Sequence, residues 1–191
     1  MIAAIILAAG ASRRLGEPKQ LVRLDNTESG ETLLERAVRT AREAALSPII
    51  VVLGADHPLI LARSSLGDAV PVINDQWQEG MASSIRLGIR TCRLIAGSAE
   101  GILLMSCDQP AVTAQHLGLL TSRATIAASE YAGRKGIPAY FPAAHYETLL
   151  ALHGDTGARD LLREAYCVKL PHGELDIDTR ANLERARALI R

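Results

Sequence analysis

A short basic segment between two glycines is the first part of the chain whose residues suggest chemistry. An apolar run ends at Gly10 and is followed by Ser12, Arg13 and Arg14, and Lys19 comes shortly after the second glycine, Gly16. Small residues allow an anion to approach backbone N–H groups, and arginine can bind a phosphate through two hydrogen bonds. The spacing fits neither the Walker A pattern nor GxGxxG. The segment is therefore either a phosphate-binding loop or a solvated basic turn.

A carboxylate follows another apolar run at residues 101–106. Asp108 lies in the sequence Cys-Asp-Gln-Pro, directly after that run. Magnesium prefers oxygen ligands, commonly one or two carboxylates together with substrate phosphates. An Asp this close to a proline is also a common turn or cap residue. A cationic loop nearby would favour the metal-binding interpretation of Asp108.

Two serines lie near the start of a predicted helix. Gly80 precedes this helix, and its first turns carry Ser83 and Ser84. Free N–H groups and hydroxyls at a helix start can bind a base edge or a phosphate. Capping of the helix by Ser83 is the alternative. Trp77, the only tryptophan, is interpreted as a loop anchor that packs and does not stack on a base.

Further charged residues lie in the last third of the chain. Asp176 and Asp178 alternate along a segment predicted to be extended, so they should face opposite sides. Only one of them should then point into a site, while the other could cap the last helix. Asp155 is predicted to be a loop or cap residue, and Arg159 could meet an anionic substrate.

Strand-like and helix-like patterns alternate along the chain. Strands are predicted over residues 3–7, 49–53, 69–73, 101–106, 134–142 and 166–170. Helices are predicted over residues 31–45, 83–95 and 180–190, near 57, after the N-cap Thr113, and at the end of 153–162. The alternation predicts an α/β fold in which helices cover both faces of a mostly parallel sheet.

The carboxyl ends of the predicted strands carry the candidate residues. Ligands of open parallel sheets bind beyond these ends. The opening loop, residues 54–56 and residues 107–109 each follow a predicted strand. We therefore expect them to gather at one edge of the sheet.

Composition excludes several classes of protein. The 191 residues carry 21 basic and 21 acidic side chains, so the net charge is zero, and only 3% are aromatic. Neither nucleic-acid binding through phosphate neutralisation nor base stacking is expected. The three cysteines form no CxxC pair, which argues against zinc and fits a reducing compartment. No signal peptide, membrane span, repeat or linker is evident, so a single cytoplasmic domain over 1–191 is expected.

Several stretches resemble one known family in sequence and in order. LAAGASRRLGEPK, which begins at Leu7, resembles the LAAGxSxRxGxxK signature of nucleotidyltransferases with a Rossmann-like fold. WQEGMASSIRLG, LLMSCDQP, YAGRKGIPAYFP, GDTGARDLL and DIDTRANLERAR agree in turn and span nearly the whole chain. The chain thus resembles the molybdopterin-guanine dinucleotide synthase-like family, and within it the molybdenum cofactor cytidylyltransferases.

The resemblance implies a Rossmann-like three-layer α/β/α fold and a reaction. CMP would pass from CTP to the terminal phosphate of molybdopterin, with Mg²⁺ as cofactor and pyrophosphate as the second product. CTP and molybdopterin would be the small-molecule partners, and a molybdenum hydroxylase apo-enzyme a further one. Related guanylyltransferases usually show LAGG in place of residues 7–10 and another residue in place of Gln109. Both differences favour CTP over GTP.

The resemblance also implies roles for individual residues. The residues implied for catalysis are Arg13, Arg14, Lys19 and Asp108. Those implied for nucleotide binding, in a part of about 1–110, are Leu7, Ala8, Ala9, Gly10, Ser12, Gly54, Gly80, Met81, Ser83, Ser84 and Asp108. Those implied for acceptor binding, in a part of about 111–191, are Gln109, Pro110, Gly136, Pro138, Asp155 and Arg159. The implied metal ligands are Asp108 and Asp178.

The match departs from the family in its last motif. Arg180 stands where relatives often have proline, and Asn182 replaces a frequent aspartate. Alignment with relatives favours Asp178 over Asp176 as metal ligand. A guanylyltransferase or a sugar- or polyol-phosphate nucleotidyltransferase of the same fold is one alternative function. A non-catalytic carrier of the molybdenum cofactor is an alternative from another class.

Overall fold

The computed structural model describes residues 1–25, 27, 30–155 and 157–189, which form a seven-stranded sheet flanked by helices. The strands are β1 (Ile2–Ala8), β2 (Ile49–Leu53), β3 (Val70–Ile73), β4 (Gly101–Ser106), β5 (Ala127–Tyr131), β6 (Arg134–Pro142) and β7 (Tyr166–Lys169). The α-helices are α1 (Leu33–Glu43), α2 (His57–Arg63), α3 (Met81–Ile95), α4 (Ala114–Thr121), α5 (Tyr146–Leu150) and α6 (Arg180–Leu189).

The sheet is mostly parallel, as predicted. Its strand order is β3-β2-β1-β4-β6-β5-β7. Neighbouring strands from β3 to β4 run parallel, as do β5 and β7. Only β6 is antiparallel to both of its neighbours. The carboxyl ends of β1, β2 and β4 therefore lie side by side, where the sequence predicted a site.

Apolar side chains of β1 alternate between two helical layers. Ala4 and Ile6 pack on the face that is covered by α1 and α4. Ala3 and Ile5 pack on the other face, against α3. Because both faces are buried, β1 has the continuous apolar sequence typical of a central parallel strand.

Most predicted elements agree with the observed ones to within two residues. The strands over 49–53, 101–106 and 134–142 have the predicted bounds. Thr113 caps α4, since its Oγ1 accepts a hydrogen bond of 3.2 Å from the His116 N–H. The predicted helix within 153–162 is a single 3₁₀ turn at Arg159–Leu162. Residue 190, the predicted end of the last helix, lies outside the described residues.

Two elements have no counterpart in the prediction, β5 and α5. The sequence of β5, AASEY, contains residues of low strand propensity, and α5 has only five residues. The strand forms because it pairs with β6 on one side and with β7 on the other. These long-range pairings carry no local sequence signal.

A separate apolar cluster fixes the loop after β1 to the C-terminal segment. It brings together residues from the loop, from α1 and from the chain around α6: Leu15, Val22, Leu33, Leu175, Ile177, Leu183 and Ala186. This cluster holds two distant parts of the chain at the same edge of the sheet. No helix among the described residues has the length and apolar character of a membrane span.

His116 is a buried titratable side chain that joins α4 to the sheet. Its Nε2 lies 2.8 Å from Ser129 Oγ, which in turn donates a hydrogen bond of 2.7 Å to the Pro138 carbonyl. Burial lowers the pKa of His116 below its ordinary value of 6.5. The unfolded chain therefore binds a proton there that the folded protein excludes.

Replacing His116 with Gln should reduce the loss of stability at acid pH. As the pH falls below about 6.5, the wild-type protein loses free energy of unfolding. The reason is that His116 takes up a proton readily only in the unfolded state. The Gln variant keeps an N–H donor toward Ser129 and cannot titrate. Urea denaturation of both proteins between about pH 7.5 and about pH 5 measures the difference. Equal pH dependence in the two proteins would contradict this account.

Candidate active site

Two adjoining cavities open at the carboxyl edge of the sheet. The first has a volume of about 470 Å³ and the second about 240 Å³. The first lies between the loop after β1 and the start of α3, and the second lies beside β6 and the chain around Arg159. Four residues line both cavities and mark the boundary: Met81, Ser106, Asp108 and Asp155.

The first cavity brings together most of the residues predicted for nucleotide binding and catalysis. Those that line it are Leu7, Ala8, Ala9, Gly10, Arg13, Lys19, Gly80, Met81, Ser84 and Asp108. Four further candidates do not line it: Ser12, Arg14, Gly54 and Ser83. Trp77 lines it as well, so the tryptophan is at the cavity wall.

Gln20 fixes the carbonyl groups of the loop after β1. Its side chain is almost fully buried, and Nε2 donates to the carbonyls of Ala8 at 2.6 Å and Gly10 at 3.1 Å. The Ala9 carbonyl accepts from the Ala55 N–H at 3.0 Å. The carbonyls of residues 8–10, at the end of β1 and the start of the loop, are therefore all bonded within the protein. No group in the described part of the chain accepts from the Gly10 N–H, which stays available to an anion.

Ser12 and Gly54 do not line the first cavity themselves but constrain residues that do. Ser12 has a φ of 49°, and its Oγ accepts a hydrogen bond of 3.0 Å from the Lys19 N–H. A Cβ at Gly54 would lie 2.7 Å from the Trp77 side chain and 2.8 Å from the Ala9 carbonyl oxygen. Ser12 thus orients the backbone at Lys19, and Gly54 leaves room for Trp77.

A chain of charged groups crosses the boundary between the cavities. Lys19 Nζ donates to Asp108 Oδ2 at 2.7 Å and to Asp178 Oδ1 at 2.6 Å. Arg14 donates to the other oxygen of Asp178 at 2.7 Å, and Ser106 Oγ donates to Asp108 Oδ1. Lys19 and Asp108 have side chains that are each 16% exposed, so solvent screens this pair only partly.

The charges of Lys19, Asp108, Asp178 and Arg14 stabilise one another. Burial lowers the pKa of Lys19, but Asp108 and Asp178 raise it more, so its pKa lies above the usual value. Burial raises the pKa of Asp178, but the hydrogen bonds and charges of Lys19 and Arg14 lower it by more. The pKa of Asp178 therefore lies below its usual value. Lys19 therefore stays a cation and Asp178 stays a carboxylate over the neutral pH range.

The segment with Asp176 and Asp178 is not extended, so the predicted alternation is wrong. The N–H groups of Asp176 and Asp178 donate to the carbonyls of Glu174 and Asp176, at 3.1 Å and 3.0 Å. Such bonds between residues two apart make tight turns. Ile177 is fully buried, and its N–H donates to the Asp108 carbonyl at 3.0 Å. Both carboxylates consequently approach the site.

Asp176 contributes a third carboxylate beside the boundary. It lines the second cavity, and burial together with the charges of Asp108 and Asp178 raises its pKa to about 6. It does not cap the last helix, because Thr179 Oγ1 accepts the Asn182 N–H at 3.2 Å at the start of α6. The prediction that one of the two aspartates serves as this cap is therefore wrong.

The start of α3 is held by Asp155. The helix begins at Met81, two residues earlier than predicted, and the Met81 N–H donates to Asp155 Oδ1 at 3.2 Å. Asp155 is thus a cap, as predicted, but for a helix distant in sequence. Gly80 precedes the helix with a φ of 114°.

Ser83 does not cap α3, so that alternative is wrong. Its Oγ lies inside the helix and donates to the Gly80 carbonyl at 2.9 Å. Asn74 Nδ2 donates to the hydroxyls of both Ser83, at 2.8 Å, and Ser84, at 2.9 Å. Asn74, which the sequence analysis did not single out, therefore orients the Ser84 hydroxyl at the wall of the first cavity.

The second cavity contains four of the six predicted acceptor-binding residues. These are Gln109, Gly136, Asp155 and Arg159. Pro110 and Pro138 do not line it. The Pro110 carbonyl accepts from Arg36 at 3.1 Å, and the Pro138 carbonyl accepts from Ser129. Both prolines thus belong to the supporting structure around the cavity.

Other polar side chains of the second cavity include the predicted Gln109 and two basic residues that were not predicted, Arg134 and Lys135. Gln109 Nε2 donates to Tyr131 Oη at 3.3 Å and to the Gly173 carbonyl at 3.2 Å, so this side chain is fixed by the fold. Arg134 and Lys135 line the same cavity. The sequence feature that could have identified Arg134 and Lys135 is their position as two basic residues at the start of a predicted strand.

Residues 4–170 match the family of MobA-like NTP transferase domains. The purine catabolism protein PucB of Bacillus subtilis is 29% identical over 96% of this chain and 94% of its own length. Nicotine blue oxidoreductase of Paenarthrobacter nicotinovorans is 31% identical over 85% and 82%. A probable molybdenum cofactor guanylyltransferase of Opitutus terrae is 31% identical over 61% of this chain and 52% of its own.

Solved structures with the same fold cover almost the whole chain. Rv0371c from Mycobacterium tuberculosis superposes with a TM-score of 0.83 and 30% identity, over 98% of this chain and 97% of its own. Its complex with manganese gives a TM-score of 0.78 at 28% identity, over 98% of each chain. Mth528, a nucleotidyl transferase from Methanothermobacter, gives 0.82 at 25% identity, over 99% and 97%.

Proposed function

Because this chain belongs to the family of MobA-like NTP transferase domains, we propose that it is a molybdenum cofactor cytidylyltransferase. The family and the fold make it a nucleotidyltransferase. In the proposed reaction an oxygen of the terminal phosphate of molybdopterin attacks the α-phosphorus of CTP. A new P–O–P linkage forms, the bond to the β-phosphate breaks, and pyrophosphate leaves. The products are molybdopterin cytosine dinucleotide and pyrophosphate.

The observation that carries the proposal is that Asp108 and Ser106 line both cavities. A nucleotidyl transfer needs a triphosphate and an anionic acceptor to meet at one point. The first cavity offers the Gly10 N–H, Arg13 and Lys19 on one side of that point. The second offers Arg134 and Arg159 on the other side. Two anions can therefore be bound next to each other with cations around both.

The preference for CTP rests on the loop after β1. Ala9 stands where related guanylyltransferases usually have glycine, and it lines the first cavity. Gln109 favours CTP as the substrate only through the sequence resemblance to cytidylyltransferases. Its side chain lines the second cavity and not the first. The guanylyltransferase among the relatives makes GTP the main alternative nucleotide.

We propose that the two parts of the chain divide the substrates between them. Residues before about 110 supply most of the first cavity, and residues after about 111 supply most of the second. The terminal phosphate of the acceptor would lie near Arg134 and Arg159. A molybdenum hydroxylase apo-enzyme would receive the finished cofactor.

The donor groups at the boundary fit a magnesium ion. Asp108 and Asp178 each place one carboxylate oxygen within 2.7 Å of the same Lys19 nitrogen, so one cation already lies between them. Two carboxylates plus substrate phosphates are a common ligand set for Mg²⁺. No group of three or more His, Cys, Asp or Glu side chains that could hold a metal ion occurs among the described residues. A bound Mg²⁺ would neutralise phosphate charge.

The residues around the reacting atoms act by position and charge. The attacking phosphate is already anionic, so the transfer requires no general base. Arg13, Arg14 and Lys19 would hold the triphosphate and stabilise the departing pyrophosphate. Gln20 would keep the loop carbonyls away from these anions. The main requirement is alignment of two bound substrates, which the adjoining cavities can supply.

Calorimetric titration with CTP and with GTP, each in the presence of Mg²⁺, tests the nucleotide assignment. We expect CTP to bind at least about tenfold more tightly than GTP, a difference of about 1.4 kcal/mol. Binding of molybdopterin without any nucleotide binding would favour the carrier function instead. Tighter binding of GTP would favour the guanylyltransferase function.

A further inference from the structure

Lys19 lies where the proposed metal ion would have to lie. Its ammonium is 2.7 Å from Asp108 Oδ2 and 2.6 Å from Asp178 Oδ1, which are the carboxylates that would hold the cation. The side chain of Lys19 is only 16% exposed and bridges both carboxylates at once. An ammonium and a divalent ion cannot both occupy this position.

The surroundings of Lys19 also show where its ammonium can go. Lys19 lines the first cavity together with Gly10 and Arg13. Its backbone N–H donates to Ser12 Oγ at 3.0 Å, and this bond holds the backbone of Lys19 but not the end of its side chain. A triphosphate in this cavity would offer the ammonium oxygens that compete with Asp108 and Asp178.

We propose that Lys19 is a place-holding cation that keeps a divalent metal out of the carboxylate pair until a nucleoside triphosphate draws the ammonium away. The pair of carboxylates then becomes free to bind the metal, and Lys19 binds the phosphates. Metal binding is thereby coupled to nucleotide binding. The proposal rests on the proposed function, since it takes the first cavity as the triphosphate site.

The test is binding of Mn²⁺ alone to the full chain, measured by electron paramagnetic resonance. An opposite charge this close shifts the proton affinity of a carboxylate by about 1–3 pKa units, so a comparable shift is expected for metal. Lys19→Met should therefore bind Mn²⁺ at least about tenfold more tightly than wild type. Lys19→Arg keeps the cation and should bind Mn²⁺ as weakly as wild type.

Arg13→Met is the matched control, because it removes one positive charge from the same cavity. No described carboxylate forms an ion pair with Arg13. This variant should change Mn²⁺ affinity by less than about threefold, as expected of an unpaired, solvent-screened charge. Equal tightening in Arg13→Met and Lys19→Met would mean a general charge effect and would overturn the proposal.

A second measurement adds inorganic triphosphate. In wild type the triphosphate should tighten Mn²⁺ binding to the protein, and in Lys19→Met this coupling should be smaller, because the part that comes from displacing the ammonium is absent. Lys19→Gln, which is uncharged but still carries a hydrogen-bond donor, serves if the Met variant does not fold. Unchanged or weaker Mn²⁺ binding in Lys19→Met and Lys19→Gln would overturn the proposal. These readouts need neither CTP nor an acceptor, so failure of the cytidylyltransferase assignment would leave them intact.

Discussion

Replacing Asp108 with Asn should lower the rate of nucleotidyl transfer by at least about a hundredfold, the scale of losing one group that stabilises a transition state. Asp108 lies at the boundary of the two cavities and accepts hydrogen bonds from Lys19 and Ser106. Asn has the same shape but carries no charge, so it removes the proposed metal ligand with little change of packing. Pyrophosphate release with Mg²⁺, CTP and acceptor measures the effect.

Asp68→Asn is the control for Asp108→Asn. Asp68 forms an ion pair with Arg42 at an exposed position and lines neither cavity. We expect this variant to keep the wild-type rate. If Asp108→Asn retained turnover within about threefold of wild type, the role of Asp108 as a stabiliser of transition-state charge would be contradicted.

Replacing Gly80 with Ala should destabilise the protein by about 1–3 kcal/mol and strongly weaken nucleotide binding. Gly80 has a φ of 114° and a ψ of −177°, a backbone conformation that is essentially restricted to glycine. A Cβ there would lie 2.7 Å from the Gly154 carbonyl carbon and oxygen and 2.7 Å from Asp155 Oδ1. The methyl group would push Asp155 away from the start of α3, where both cavities meet.

Gly118→Ala is the matched control for Gly80→Ala. Gly118 lies within α4, and no atom outside the neighbouring backbone of this helix approaches within 4 Å of a Cβ placed there. Its replacement should be neutral or stabilise the protein by up to about 1 kcal/mol, since alanine favours helix. Urea denaturation and calorimetry with CTP compare the two variants. A Gly80→Ala protein as stable as Gly118→Ala, with unchanged CTP affinity, would contradict this view of the α3 start.

The parallel half of the sheet could be predicted from sequence because its strands are buried on both faces. Residues 49–53 form a continuous apolar run between Pro48 and Gly54, and β2 has those bounds. Because these strands run parallel, their carboxyl ends lie at one edge of the sheet whatever their side chains are. The location of the cavities therefore followed from topology and from where the charged residues occur.

The details that were missed depend on contacts between distant residues. β5 has a weak strand sequence and exists because β6 and β7 flank it. Asp176 approaches the site because Ile177 is buried beside α6 and its N–H bonds to the Asp108 carbonyl. Alternation along an extended chain could not predict this turn. Gln20 gave no local signal either, since its partners are carbonyls in the preceding loop.

The central claim is tested most directly by incubating the protein with molybdopterin, Mg²⁺ and one of CTP, GTP, ATP or UTP. Pyrophosphate release gives the rate, and mass spectrometry identifies the product. We predict release with CTP at least about tenfold faster than with GTP, and formation of molybdopterin cytosine dinucleotide. Faster turnover of GTP, or no pyrophosphate release from any nucleotide with molybdopterin, would contradict the assignment.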